Sequence, residues 1–259
     1  MNILVVLRMV PDVVEELEIA PEGKSLDFDV MRMVVSESDD HALEEALLLK
    51  ERHSGQVTVI APDAAEVNDA LFTALAKGAD RAVKLTGLDQ GLSTRSTAQL
   101  VGQAISGGLG LQPADLILTG VQAIDDLDGL MAPLIAHHLN LPHLGIVTKV
   151  TVAAGGKSAT AIREYQGGVR GEFELPLPAV LGIQAAEKPP RYVPVAKVRA
   201  AMKSQRIETA PAPAGPAPPS LDVIEMKKPE PASHAEMIEG DPDQASARLL
   251  EILSTRGVL

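Results

Sequence analysis

The first apolar run, Ile3 to Leu7, is short, branched and continuous, as in a strand covered on both faces. Leu17 to Phe28 holds two short extended pieces around Pro21-Glu22-Gly23-Lys24 and reads as a hairpin. Asp39 to Arg52 has helical spacing, with Leu43, Ala46, Leu47 and Lys50 on one face and Ser38 or Asp39 as its cap. Gly55 ends that helix, and Val57 to Ala61 is the next buried strand. The alternation repeats. Helices are expected over Ala64 to Lys77 (closed by Gly78), Ser93 to Ser106 (closed by Gly107-Gly108) and Asp128 to Leu139, with strands over Ala82 to Leu85 and Leu116 to Thr119. Near residue 145 the helices stop. Val147 to Val152, Ala159 to Glu164, Gly171 to Leu175 and Ala179 to Ile183 read as strands, with turns at Gly155-Gly156 and Gly167-Gly168. The pattern predicts an α/β fold: a doubly wound, mostly parallel sheet with an antiparallel C-terminal extension.

The division follows composition. Residues 1–203 carry the α/β pattern, and residues 204–259 read as a Pro-rich linker and an extended C-terminal arm. Residues 204–220 form a break, because Pro211 to Pro219 lacks core-forming residues and favours polyproline II. Leu221 to Glu225 has the composition to add a strand to another surface. Gln244 to Leu253 reads as a short helix, marginal unless docked on a partner.

A net charge of −12 argues against gripping a phosphate backbone, and five aromatics without Trp give no stacking platform, so no nucleic acid is expected. The absence of Cys excludes disulfides, thiolate-ligated metals and thiol catalysis. No apolar run reaches about 18 residues, so no direct membrane insertion is expected. Met1 to Arg8 lacks a signal-peptide pattern, which makes a soluble cytoplasmic protein the expectation.

Catalytic motifs are missing. Gly155-Gly156-Lys157-Ser158 imitates the end of a P-loop, but Thr151 stands where its first Gly belongs, so it reads as a hairpin turn. Gly108-Leu109-Gly110 follows a helix and lacks a third Gly. His137 and His138 diverge by about 100° on a helix and cannot easily share a metal. His41, among Asp39, Asp40 and Glu44, reads as a solvated helix start. One segment does suggest a ligand. The strand Leu116 to Thr119, the loop Gly120 to Gly129 and the following helix N-terminus form the usual anion pocket of an open sheet, with Asp128 as a simple cap the competing reading.

Longer stretches carry a family resemblance. They are Val10-Pro11-Asp12, Leu43 to Ala46, Thr73 to Arg81, Gly120 to Asp126, and Arg163-Glu164…Gly167-Gly168…Leu177 to Val180…Lys188 to Tyr192. Over nearly its whole length the chain resembles the β (small) subunit of electron-transfer flavoproteins. Met237 to Gly240 and the final helix look like the subtype served by amine dehydrogenases.

The resemblance implies a heterodimer with an α subunit that makes most FAD contacts, and an arm that embraces it. Electrons would pass from flavin dehydrogenases, of acyl-CoA or amine type, to a quinone-linked oxidoreductase, with no bond-making chemistry by this chain. A second nucleotide, AMP or, in bifurcating types that also bind NADH, a second FAD, would lie over Val6, Leu7, Ser36, Glu37, Ser38, Asp39, Ala61-Pro62, Gln122, Ala123, Asp126, Gly129, Leu130 and Met131. The family's Asn-Pro stands here as Ser36-Glu37, and its polar helix start as Leu130-Met131-Ala132, which leaves backbone donors only. Val13, Arg163 and Glu164 would lie near the FAD held with the α subunit, where a cation stabilises a reduced flavin anion; a strand-surface Arg163–Glu164 ion pair is the plainer reading. Tyr192, Val195, Lys197, Val198, Arg199 and Lys203 would form a loop that docks partners, Val195 replacing a Leu anchor; a buried Val195 among solvated lysines is the alternative. Two other readings remain: a nucleotide-binding regulatory protein with its own ATP or AMP site, and an enzyme whose site escapes motifs.

Overall fold

The computed structural model describes residues 1–87, 93–107, 109–111, 113–126, 128–213, 222–229 and 237–258. They fall into two units, Met1–Glu225 and Met226–Leu259. The first contains strands β1 (Asn2–Val6), β2 (Met9–Pro11), β3 (Met33–Val35), β4 (Gln56–Pro62), β5 (Arg81–Thr86), β6 (Leu116–Gly120), β7 (His143–Val152), β8 (Ser158–Glu164), β9 (Arg170–Pro176), β10 (Ala179–Ile183) and β11 (Glu208–Pro211). Its helices are α1 (Glu37–His53), α2 (Val67–Lys77), α3 (Thr94–Ser106), α4 (Met131–Leu139) and α5 (Val195–Ser204). A nine-stranded sheet has the order β11-β5-β4-β1-β6-β10-β7-β8-β9, and β2 pairs with β3 in a separate antiparallel ribbon. Neighbours from β11 to β7 are parallel; β8 and β9 continue antiparallel.

The two-residue period of β1 builds both layers. Ile3, Val5 and Leu7 pack with Leu43 and Ala46 of α1 and Leu71 of α2. Leu4 and Val6 pack with Val101 and Ile105 of α3 and Met131 and Ile135 of α4. This is the expected doubly wound architecture, each buried Leu or Val contributing about 1.5–3 kcal/mol.

Several local expectations change. The expected hairpin around Pro21–Lys24 is present as a short one: Ile19 bridges Leu26, the Ala20 N–H donates to the Ser25 carbonyl at 3.0 Å and the Asp27 N–H to the Glu18 carbonyl at 2.9 Å; the ribbon β2–β3 was not expected. β10 does not extend the meander. Its five buried residues require a central slot, and it inserts parallel between β6 and β7. The expected docking loop is helical from Val195: Pro194 caps α5, Ala201 is buried, and the helix packs on α2. Glu208–Pro211, inside the expected break, is an edge strand beside β5, pinned by a fork from Arg81 to Glu208 at 2.6 and 2.7 Å. Pro211, which cannot donate to a ladder, ends it. Residues 222–225 form no strand; Leu221 and Gly108 lie outside the described residues. Helix α4 starts at Met131 with Leu130 at its cap, so Asp128 is not the cap; its N–H donates to Asp126 instead.

In the second unit, α6 (Pro242–Thr255) opens with a capping box: Asp241 accepts from the Gln244 N–H at 2.9 Å, and Gln244 accepts from the Asp241 N–H at 3.3 Å. Its Leu249 and Leu250 are exposed. Among the described residues no helix is long and apolar enough to cross a membrane.

Candidate functional site

The winding reverses between β1 and β6. The chain runs from β1 through β4 to β5 on one side and from β6 to β7 on the other, and ligands of open α/β sheets bind at such a switch point. A cleft of ≈ 550 Å³ opens there, lined by residues 10–13 and 34–38, His41, residues 121–124 and Gln184. Apolar Val10, Val13, Val34 and Ile124 surround a few polar groups, the composition and size usual for a ligand pocket.

A buried charge knot fixes its floor. Arg8, just beyond β1, donates from its backbone N–H and Nε to Asp39 Oδ2 at 2.9 and 3.1 Å, and from Nη1 to Asp126 Oδ2 at 2.8 Å. Asp39 Oδ1 accepts the Gly120 N–H at 2.5 Å. Asp126 Oδ1 accepts the N–H groups of Asp128 and Gly129, both at 3.2 Å, shaping the loop after β6, where Gly129 takes φ +61°. A Cβ on Gly120 would sit 2.7 Å from the Asp39 backbone nitrogen, so only glycine lets β6 approach α1 this closely. Ser38 Oγ donates to the Gln122 carbonyl, closing the loop over the helix start. Full burial pushes the Asp39 carboxyl upward against the pull of Arg8. Burial also opposes the Arg8 charge, but the two carboxylates outweigh it and raise its pKa. The Asp125 carboxyl, exposed beside the knot, is also pushed upward, chiefly by partial desolvation. Among the described residues, the buried Arg8 Nη2 has no hydrogen-bond partner.

The sequence reading missed Arg8 and misjudged its surroundings. A lone Arg at the end of an apolar strand was the available signal. The Asp39–His41 turn is not simply solvated: Asp39 is fully buried, and His41 Nδ1 accepts the Ala186 N–H at 3.1 Å.

Further along α1, carboxylates hold the segment that follows β10. Glu45 accepts the Val150 and Glu187 N–H groups at 3.3 and 3.0 Å. Glu44 accepts the Arg191 N–H at 3.0 Å, Nε at 2.9 Å and Nη2 at 2.8 Å. Arg191 Nη1 reaches Glu51 at 2.7 Å. Burial raises Glu44, but the Arg191 hydrogen bonds outweigh it and leave the carboxyl below its ordinary range. Glu45, with backbone donors only, stays raised by burial. Beyond Arg191, Tyr192 and Val195 are 84% and 62% exposed, and Lys197, Arg199 and Lys203 point to solvent.

Comparison with known proteins places this architecture. Residues 29–214 match the electron transfer flavoprotein domain model. The electron transfer flavoprotein subunit beta of Methylophilus methylotrophus is 31% identical over 98% of both chains. The chain belongs to the electron transfer flavoprotein family, on the β-subunit side. The subunits beta of Syntrophomonas wolfei and Bacillus subtilis are 31% and 29% identical over 97% and 98% of this chain and 95% and 97% of their own. By family, then, it is an electron-carrier subunit rather than an enzyme.

For an electron transfer flavoprotein β subunit, the residues expected at the second nucleotide fall into three groups. Ser36, Glu37, Ser38, Gln122 and Ala123 line the cleft, as does Val13 at its mouth. Asp39 and Asp126 are consumed by the Arg8 knot. Val6 packs with Met131 in one core layer, Leu7 lies in the opposite layer and Pro62 ends β4, so none of these side chains lines the cleft; Leu130 is half-exposed at the α4 cap and Gly129 turns the loop. Arg163 and Glu164 lie outside the cleft lining on β8 and do not pair with each other. Arg163 stacks 5.0 Å over Tyr165, and Glu164 bonds Arg170 across the hairpin at 3.0 Å. Val195 is exposed, not buried.

Proposed function

We propose that this chain joins an α subunit to hold one FAD between them, and that the pair carries electrons from flavin dehydrogenases, of acyl-CoA or amine type, to a quinone-linked oxidoreductase in the cytoplasm. The observation that carries the reading is the switch-point cleft with its exposed apolar rim at Val13, on a chain of this family. FAD supplies the redox chemistry. This chain contributes an apolar wall that excludes water and, through Arg163 and Glu164, charge toward the flavin edge. The C-terminal arm embraces the α subunit, and Tyr192, Val195, Lys197, Val198, Arg199 and Lys203 form the partner-docking edge. Exposed Tyr and Val beside three cations suit an acidic partner surface.

The second nucleotide is proposed to be AMP, weakly held by Ser36, Ser38, Gln122 and backbone N–H groups at the start of α4. Leu130 and Met131 offer no side-chain donors there, and Glu37, Asp125 and Asp128 add negative charge. The test is co-expression with an α subunit, followed by a visible spectrum and mass analysis of released nucleotides. One FAD with substoichiometric AMP is expected. Two FAD would indicate a bifurcating type, and a colourless homodimer would overturn the carrier reading in favour of a regulatory nucleotide-binding protein.

A further inference from the structure

His41, Glu44, Glu45, Glu51 and Arg52 fall at i, i+3, i+4, i+10 and i+11 on α1, a single helical face. A polar face turned toward protein needs partners for every group, and here one segment supplies most of them. His41 takes the Ala186 N–H, Glu45 the Glu187 N–H, and Glu44 the Arg191 N–H. Arg52 and Lys149 pair with the Glu187 side chain, the latter at 3.0 Å, and Glu44 and Glu51 fork the Arg191 guanidinium. Residues 186–191 belong to no helix or strand and include Pro189 and Pro190, so they carry four N–H groups, and three of the four end on α1 side chains. The next residue is Tyr192, and three residues later α5 begins at exposed Val195. Glu44 is 97% buried while Arg191 is partly open, so the carboxylate is the fixed end of the clamp.

We infer that this face of α1 is a positioning device: Glu44, Glu45 and His41 hold residues 186–191 as a taut strap that presents Tyr192 and Val195 to the redox partner in one orientation. The inference rests on the docking role proposed above. In this role Glu44 and Arg191 act through the backbone of the strap. A strap fixed before encounter loses little conformational freedom on docking, so loosening it weakens partner affinity without altering the electron-transfer step itself.

The experiment uses the FAD-loaded complex with its α subunit and a flavin dehydrogenase as electron donor. Three variants are compared: Arg191→Lys, which keeps charge but loses the fork, Glu44→Ala, and Val195→Asp as a direct docking lesion. In Arg191→Lys and Glu44→Ala, amide hydrogen exchange over residues 186–191 should rise while the sheet stays protected. KM for the carrier should rise about tenfold, equivalent to 1.4 kcal/mol. The limiting rate and visible spectrum should be unchanged. Faster strap exchange with an unchanged KM overturns the proposal, and so does a general rise in exchange across the sheet, which would assign the clamp to global stability. A raised KM in Val195→Asp with none in Arg191→Lys removes the strap alone. An unchanged KM in Val195→Asp removes the docking reading and the strap with it.

Discussion

Helix α1 carries two acidic clusters that solve opposite problems. At its first turn Asp39 is sealed against Arg8 and Asp126 beneath the cleft, and every bond joins elements that meet at the sheet's switch point. Five residues later Glu44 holds Arg191, whose guanidinium remains partly open to solvent. The first cluster shapes the floor of a ligand site; the second tethers a connection. Charges sealed on all sides give a fixed geometry, at the risk that losing one member strands the others.

That contrast can be broken most forcefully at Arg8. Arg8→Met leaves two carboxylates facing each other in the interior and should cost about 3–5 kcal/mol at neutral pH by denaturant unfolding. The loss should shrink in acid. Without Arg8 the folded pKa of Asp39, already raised above 3.8, rises further, and a raised acid favours the folded state below its unfolded value and loses that contribution as pH climbs. Next is Gly120→Ala, whose added methyl must displace the start of α1; about 3 kcal/mol is expected in the same measurement, with loss of nucleotide retention. Glu44→Ala should make local opening of residues 186–191 easier by about 2 kcal/mol, chiefly from the unpaired Arg191 groups, read as amide exchange of that segment with the sheet's protection kept.

The finest comparison is between adjacent Glu44 and Glu45. Glu44 is lowered from 4.5, so its contribution is present above pH 4.5 and disappears as pH falls through the folded value. Glu45 is raised from 4.5, so its contribution is present below pH 4.5 and is lost as pH rises through the folded value. The destabilisation by Glu44→Gln should therefore grow with rising pH across this range, and that of Glu45→Gln should shrink. Equal slopes in unfolding titrations would refute the assignment. Smallest of all, Glu208→Ala should cost under about 1 kcal/mol, since its fork with Arg81 lies at a solvent-exposed edge.

The layered fold was legible because β1, β4, β5 and β6 are continuous apolar runs separated by helical spacing. What local pattern could not report was order: β10 reads like another hairpin strand, and only its complete burial explains its place between β6 and β7. Helix α5 was hidden by the prolines ahead of it, although Val198 and Ala201 already had helical spacing. At the cleft, the loop holding Gln122 and Ala123 was legible because a strand end, a glycine and a helix start advertise a crevice; Ser36–Ser38 came only with the family resemblance. Arg8 was not, since its partners lie 31 and 118 residues away and a single basic residue after a strand usually meets water. Glu44 and Glu45 fell within a recognised family stretch, but nothing local announced that one carboxylate would hold a guanidinium 147 residues on.

The insertion of β10 also bears on how the chain is made. A ribosome releases β6 and β7 long before residues 179–183, and until then both strands present unpaired edges where the finished molecule has none. Such edges are templates for pairing with other chains, and partly made sheets are prone to it. The centre of this sheet is thus completed by one of its last strands. Truncation before Ala179 would remove the seam between two half-sheets rather than trim an end, and the exposed pair of edges would make such a fragment a substrate for chaperones or for aggregation.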